Sequence, residues 1–307
     1  MRPKRGPAAL AGAAFSARAT DNLVSEAAAW LLKNPLVDTE RTSQYIHPSE
    51  MAKAQWCHRA TYYRISGEPA LTTPNSVSQE VVFNHGNQAH HFWQTLYWRM
   101  GRLQGNWQCR WCRTVWEGVS PTVCPRCEAG VDMLVYREVP LHNEEYLIDG
   151  HADGDVISRD GKTSSLIEIK TVGAGSVRYD APALLEKYAF TGTLTAGGGA
   201  VTGVNWDKLW RDLKRPFPSH FRQGMLYCFL KERPSIVFIY EPKMVSGYPK
   251  AFDVKFDFSY VEPLLAKCLV VKDRLQKGVP PKRPVWATPS CTTCRDCPYT
   301  KVCYGNR

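Results

Sequence analysis

Nine of the eleven cysteines fall in three places: Cys57 alone, a group at 109–127 and a group at 291–303. The run Cys109-x2-Cys112-x11-Cys124-x2-Cys127 is two Cys-x-x-Cys units separated by a hairpin-sized span, the spacing of a four-thiolate zinc site. It predicts a zinc ribbon inserted over residues 102–130. Paired units of this kind in a chain of 307 residues point to metal rather than to a disulfide framework. They therefore predict a reducing compartment, the cytoplasm. Cys228 and Cys268 lie singly in apolar segments and read as small buried hydrophobes. The ribbon also carries Arg102, Arg110, Arg113 and Arg126 beside Trp107, Trp111 and Trp116. Basic residues interleaved with aromatics suit a nucleic-acid strand. The same aromatics would equally serve to cover the metal, and the insertion could dock a partner protein.

Thirty-nine Lys and Arg against 29 Asp and Glu leave a net charge of +10, which favours an anionic partner, nucleic acid before a membrane surface. No apolar run approaches the ~18 residues of a membrane-spanning helix. Residues 1–20 hold four basic residues and no acid, and the apolar stretch Ala8–Phe15 is short and broken by Gly12. They read as a disordered basic tail rather than an export signal.

Helical spacing covers 21–33, Glu50–Tyr63 and Val77–Met100, the last with an interruption near Gly86. Three apolar runs between 131 and 171 (VDMLVYREV, EYLIDGHADGDVI and SLIEIKT) read as neighbouring antiparallel strands, joined by turn signals such as Asp160-Gly161. The stretch 191–203, with Gly197–Gly199, reads as a loop able to close over a bound strand. A helix over 218–231, strands SIVFIY and FDVKFDF and a helix Tyr260–Lys277 complete an α/β layer arrangement. The domain plan is thus a tail (1–20), a helical part (21–101), the ribbon (102–130), a catalytic core (131–277) and a terminal cysteine segment (278–307).

Glu168 and Lys170 alternate onto one face of their strand, with Ile167 and Ile169 on the other. The turn at Asp160–Gly161 brings Asp153 back beside Glu168. Two carboxylates and an ammonium converging at a sheet edge suit metal-assisted phosphodiester cleavage. The carboxylates hold Mg²⁺ or Mn²⁺, and the lysine orients or helps deprotonate the attacking water. His90, on an upstream helix, is a candidate third ligand, with His91 and His85 as rivals. Asp155 shares a strand face with Asp153 and rivals it. Gln223 and Tyr227, four apart on a helix, share a face.

In order, Gly86-x3-His90, Gly150-His151-x-Asp153, Glu168-x-Lys170-Thr171 and Gln223-x3-Tyr227 resemble the motifs of RecB-like nucleases in the PD-(D/E)xK superfamily. The resemblance spans about residues 50–303. It is closest to the iron–sulfur branch, which holds CRISPR-associated exonucleases, their phage relatives and the AddB nuclease domain. It implies a restriction-endonuclease-like mixed β-sheet core flanked by helices. It also implies His90, Asp153 and Glu168 as metal ligands, Lys170 as catalytic lysine, and Gln223 and Tyr227 ordering the site against DNA.

The implied activity is a DNA exonuclease acting on ends or single strands in recombination, repair or end processing. Implied partners are a helicase or other recombination protein, in a nucleoid-associated or phage-encoded setting. A non-catalytic DNA-binding scaffold and a CRISPR adaptation factor trimming captured DNA are the alternatives. In the same pattern Cys57, Cys294, Cys297 and Cys303 would ligate a [4Fe–4S] cluster clamping the C-terminus. Cys291 is surplus to it, and a local set of Cys291, Cys294, Cys297 and Cys303 is the competing arrangement.

Overall fold

The structure, a computed structural model, describes residues 23–31, 33–34, 42–71, 75–193, 200–245 and 247–305. The predicted tail 1–20 and the triplet Gly197–Gly199 lie outside them. The strands are β1 (Leu103–Cys109), β2 (Val115–Val119), β3 (Leu134–Tyr136), β4 (Val139–Asn143), β5 (Ile148–Ala152), β6 (Gly154–Ile157), β7 (Ser164–Val172), β8 (Ala189–Thr193), β9 (Ala200–Val204), β10 (Ser235–Pro242) and β11 (Lys250–Lys255). The helices are α1 (Pro48–Met51), α2 (His58–Ile65), α3 (Val77–Arg99), α4 (Ala174–Asp180), α5 (Pro182–Tyr188), α6 (Trp206–Asp212), α7 (Pro218–Leu230), α8 (Glu262–Lys277), α9 (Thr292–Arg295) and α10 (Thr300–Tyr304).

Two compact units divide the chain, residues 1–41 with 71–85 and residues 42–70 with 86–307. In the first, residues 23–31 are helical, inside the predicted 21–33. There too, Ser76 Oγ accepts from the Gln79 N–H while Ser76 N–H donates to Gln79 Oε1, a reciprocal cap for the start of α3.

The second unit is built on a seven-stranded mixed sheet in the order β11-β10-β7-β6-β1-β2, with β3 also paired to β1. Only β7 and β10 run parallel; the other neighbours are antiparallel. On one face the α3 side chains Trp93, Tyr97 and Trp98 cover Leu103, Trp107, Ile167, Ile169 and Ile239. On the other, Met225 and Leu226 of α7 and Leu264 and Leu265 of α8 share a core with Leu166, Ile236 and Phe238. Helices on both faces make this a mixed α/β fold. β4 and β5 form a separate hairpin whose Val139, Leu141 and Ile148 join the α7 side.

Several predicted elements come out differently. The helix expected over Glu50–Tyr63 is two helices, because Cys57 takes an extended conformation (φ −98°, ψ 95°). The break buries Trp56, whose indole N–H donates to Thr61 Oγ1; Thr61 in turn donates to Glu50, tying α1 to α2. α3 runs through Gly86 unbroken, as a glycine weakens a helix without removing a hydrogen bond. The predicted loop over 191–203 includes two paired strands, β8 and β9, with Thr191 opposite Thr202. The three runs between 131 and 171 become five strands in two sheets. β6 and β7 are antiparallel as expected, whereas β3 pairs back to β1. β1 of the cysteine hairpin pairs with β6, so the ribbon's strands extend the central sheet.

α7 lies so close to β10 that a Cβ on Gly224 would collide with the Phe238 ring and come within 3.1 Å of Ile236 Cγ2. Gly→Ala inside a helix ordinarily stabilises by about 1 kcal/mol. Here Gly224→Ala is expected to destabilise by about 1–3 kcal/mol through overpacking. Urea unfolding followed by circular dichroism checks the sign.

Candidate active site

The site lies at the start of β6. β6 pairs with β7 only as far as Gly154 opposite Ile167, while β7 runs on to Val172 with β10 along its other edge. Beyond that point β7 has free backbone groups that need partners. Ile169 N–H donates to Asp153 Oδ2 at 2.5 Å, and the Ile169 carbonyl lies 3.0 Å from His90 Nε2. One backbone unit thus anchors two of the expected residues, between side chains Glu168 and Lys170 that supply two more.

Asp153 is the single residue between β5 and β6, where the chain passes from the two-stranded sheet to the central one. Glu138 stands just before β4, at the reverse passage from β3, with φ 60°. Because Val139 pairs with Ala152, the two crossings fall opposite each other. Ligand atoms of His90, Glu138 and Asp153 all lie within 4.8 Å of one another. Gln94, one helical turn after His90, donates to the Asp153 carbonyl at 2.9 Å and reaches Glu138 Oε1 at 3.4 Å.

The electrostatics fit a cation. Desolvation raises both Asp153 and Glu168 to about 7; the charge of Glu138 adds to the rise of Asp153, and that of Asp153 to the rise of Glu168. Lys170 Nζ sits 2.5 Å from Glu168 Oε1. Burial opposes its charge, but Glu168 and Asp153 prevail and raise its pKa. Glu168 Oε2 is buried with no hydrogen-bond partner among the described residues. An orphaned carboxylate oxygen inside a protein is costly unless it binds a cation. With Nε2 donating to Ile169, the His90 Nδ1 lone pair faces Asp153 Oδ1 at 3.4 Å. Burial keeps this imidazole neutral by lowering its pKa. A neutral imidazole fixed through its other nitrogen is the usual form of a histidine metal ligand.

Gln223 Nε2 donates to the Tyr227 hydroxyl at 2.6 Å, both residues buried. Burial, then the nearby Glu168 and Asp153, push that hydroxyl far above its ordinary pKa, which keeps it a neutral donor. Of the rivals, Asp155 is paired with Arg233, its Oδ2 accepting at 2.6 Å, while its Oδ1 is buried without a partner among the described residues. His91 is exposed, and His85 belongs to the first unit. Glu138 escaped the sequence reading, because nothing in the residues reveals the β4–β5 register or the left-handed backbone. Gln94 had a signal, its spacing of four from His90.

All eleven cysteines are free thiols. Those of the ribbon form one group, with Cys109 Sγ 3.7 Å from Cys127 Sγ and Cys112 Sγ 3.6 Å from Cys124 Sγ. A tetrahedral ion bonded to sulfur at about 2.3 Å sets such separations at about 3.8 Å. The two turns share one geometry. Arg113 N–H bonds the Cys109 carbonyl and Glu128 N–H the Cys124 carbonyl, both residues with φ near 60° (61° and 58°).

Cys57, Cys294, Cys297 and Cys303 line one cavity, together with Arg59 and Arg283. Arg59 Nε there is buried without a partner among the described residues. Cys291 is not in the lining; its sulfur accepts from the Cys294 N–H at 3.3 Å. Cys228 and Cys268 are fully buried.

No family model and no curated protein matches the chain. Among solved structures, it is similar to the crystal structure of SSO0001 at 13% identity and a TM-score of 0.35, over 94% of this chain and 98% of that one. It is also similar to an alkaline exonuclease, LHK-Exo from Laribacter hongkongensis, at 10% identity and a TM-score of 0.39 over 77% and 90% of the two chains. The same enzyme in complex with dAMP gives 12% identity and a TM-score of 0.41, with the same coverage. Likenesses this distant do not reach the chemistry, and the functional reading rests on the site itself. No described helix is long and apolar enough to cross a membrane.

Proposed function

We propose that the chain is a metal-dependent DNA exonuclease that hydrolyses phosphodiester bonds at ends or in single strands. The observation that carries the reading is the group His90, Glu138 and Asp153, whose ligand atoms lie within 4.8 Å of one another, with the buried, unpartnered Glu168 Oε2 and its Lys170 partner in the electrostatic reach of Asp153 and His90. His90 Nδ1 with the carboxylates of Glu138, Asp153 and Glu168 would hold one divalent cation, Mg²⁺ or Mn²⁺. When bound, it supplies Lewis-acid stabilisation of the phosphate and a water of lowered pKa.

Lys170 is cationic, so it donates rather than accepts. Its work is to orient the attacking water and offset charge on the phosphorane, while the leaving alcohol departs from phosphorus. Ile169 fixes Asp153 and His90 through its backbone, so the ligands need no reorganisation on binding. The net charge of +10 favours a polyanionic substrate. The intact lysine and carboxylates favour an enzyme over a scaffold, which has no need of them.

Lys170→Ala is expected to lower the cleavage rate of end-labelled DNA with Mg²⁺ or Mn²⁺ by about 10²–10³-fold. Equal cleavage by the variant and the parent, matched for metal content and folding, overturns the assignment.

The cysteine sites are read as a structural zinc at Cys109, Cys112, Cys124 and Cys127 and a [4Fe–4S] cluster at Cys57, Cys294, Cys297 and Cys303. The two guanidiniums at the cavity suit an anionic cluster. Under this reading Cys57→Ser lowers iron and sulfide content, and Cys291→Ser leaves both at the parent level. Elemental and sulfide analysis of anaerobically purified protein decides it; the reverse pattern supports the local cysteine set.

A further inference from the structure

We infer that the turn Cys109–Cys112 is a grip for single-stranded DNA, in which Trp111 stacks on a base while Arg113 and Arg126 hold neighbouring phosphates. The inference rests on the nuclease reading for the identity of its ligand.

The structure separates the ribbon's aromatics by role. Trp107 is fully buried, packed between Trp98 at 4.9 Å and Tyr136 at 5.1 Å, with its indole N–H on the Gly118 carbonyl. Trp116 packs against the same cluster. These two cover the hairpin and its thiols. Trp111 does neither: it is 76% exposed at the tip of the first Cys-x-x-Cys turn. Arg110 and Arg113 flank it in sequence, and Arg126 comes from the second turn and contacts Thr114. All three guanidinium-bearing residues are exposed.

The hairpin that carries the turn is tied into the fold. Trp98 of α3 donates to the Pro121 carbonyl at 2.9 Å, pinning the hairpin to the sheet's helical cover. β6 occupies one edge of β1 at Leu103 and Gln104, and β3 occupies the same edge from Trp107 to Cys109. The gap between them, at Gly105–Asn106, is the level from which Glu138 and Asp153 emerge, as Arg137 N–H on the Asn106 carbonyl shows. From Asn106 to Cys109 is about 10 Å of strand at ~3.3 Å per residue. An exposed indole with arginines beside it, at that remove from the reacting centre, matches what an unstacked base and its phosphates require.

The test is fluorescence anisotropy of a labelled oligo(dT) titrated with full-length protein, without added divalent cation. Trp111→Ala is expected to weaken binding about 5- to 100-fold, and Trp111→Phe to restore most of it. Arg113→Gln and Arg126→Gln are each expected to reduce the slope of log Kd against log salt by about 0.7. Circular dichroism and zinc content confirm that each variant is folded; the exposure of Trp111 makes loss of folding unexpected.

Parental affinity in Trp111→Ala, or no oligonucleotide binding by the parent, overturns the inference; the first result is what a protein-docking surface would give. Arginine variants that lose zinc but keep the salt slope also overturn it, since those side chains would then only balance the thiolates. Hydrolysis of bis(p-nitrophenyl) phosphate, too small to span the distance, reads the nuclease assignment separately through its dependence on Lys170.

Discussion

The candidate site hangs on the backbone of Ile169. Beyond the first residue of β6, where the ladder with β7 stops, β7 would expose an N–H and a carbonyl inside the protein, and the two are taken by Asp153 and His90. Leaving either unpaired costs about 1–3 kcal/mol, so the gap in the ladder and the presence of these side chains depend on each other. The consequence is chemical. The same bonds choose the His90 tautomer and aim one Asp153 oxygen at its free nitrogen, before any cation arrives. Glu168 and Lys170, on either side of Ile169, come to the site through strand alternation alone.

The two crossings between sheets complete the arrangement. The chain leaves the central sheet after β3 and returns at β6, and the β4–β5 register sets Glu138 against Asp153 at the two crossing points. Burial, with Glu138 acting on Asp153 and Asp153 acting on Glu168, raises Asp153 and Glu168 to about 7. Such a cluster is poorly suited to a merely structural role, because apolar residues would stabilise the fold more. Its cost is offset by what the carboxylates bind. One cysteine group lies in the hairpin that extends the sheet, and Cys57 before α2 shares a cavity with Cys294, Cys297 and Cys303 of the C-terminal segment.

Much of the site was legible because it depends on local periodicity. Strand alternation placed Glu168 and Lys170 together, and the Asp160–Gly161 turn brought Asp153 beside them. A helix placed Gln223 one turn from Tyr227. What could not be read depends on long-range register. Glu138 enters only through the pairing of Val139 with Ala152 and through a positive φ that no residue type there announces. The choice of His90 over His91 follows from the azimuth of α3 against β7, and the engagement of Asp155 from Arg233 in the connection between α7 and β10. The separation of Cys57 from Cys291 is likewise tertiary, since both spacings supply four thiols. The Gly-rich composition of 191–203 suggested a loop throughout, whereas Ala189–Thr193 and Ala200–Val204 pair as β8 and β9, a backbone register that composition does not reveal.

The most direct measurement is anomalous diffraction at the manganese edge from crystals of the protein soaked in Mn²⁺. The account expects a manganese peak bonded to His90 Nδ1 and to carboxylate oxygens of Glu138, Asp153 and Glu168, with Lys170 still paired to Glu168. Manganese bound elsewhere, with Glu168 Oε2 still unpartnered at saturating Mn²⁺, would contradict it.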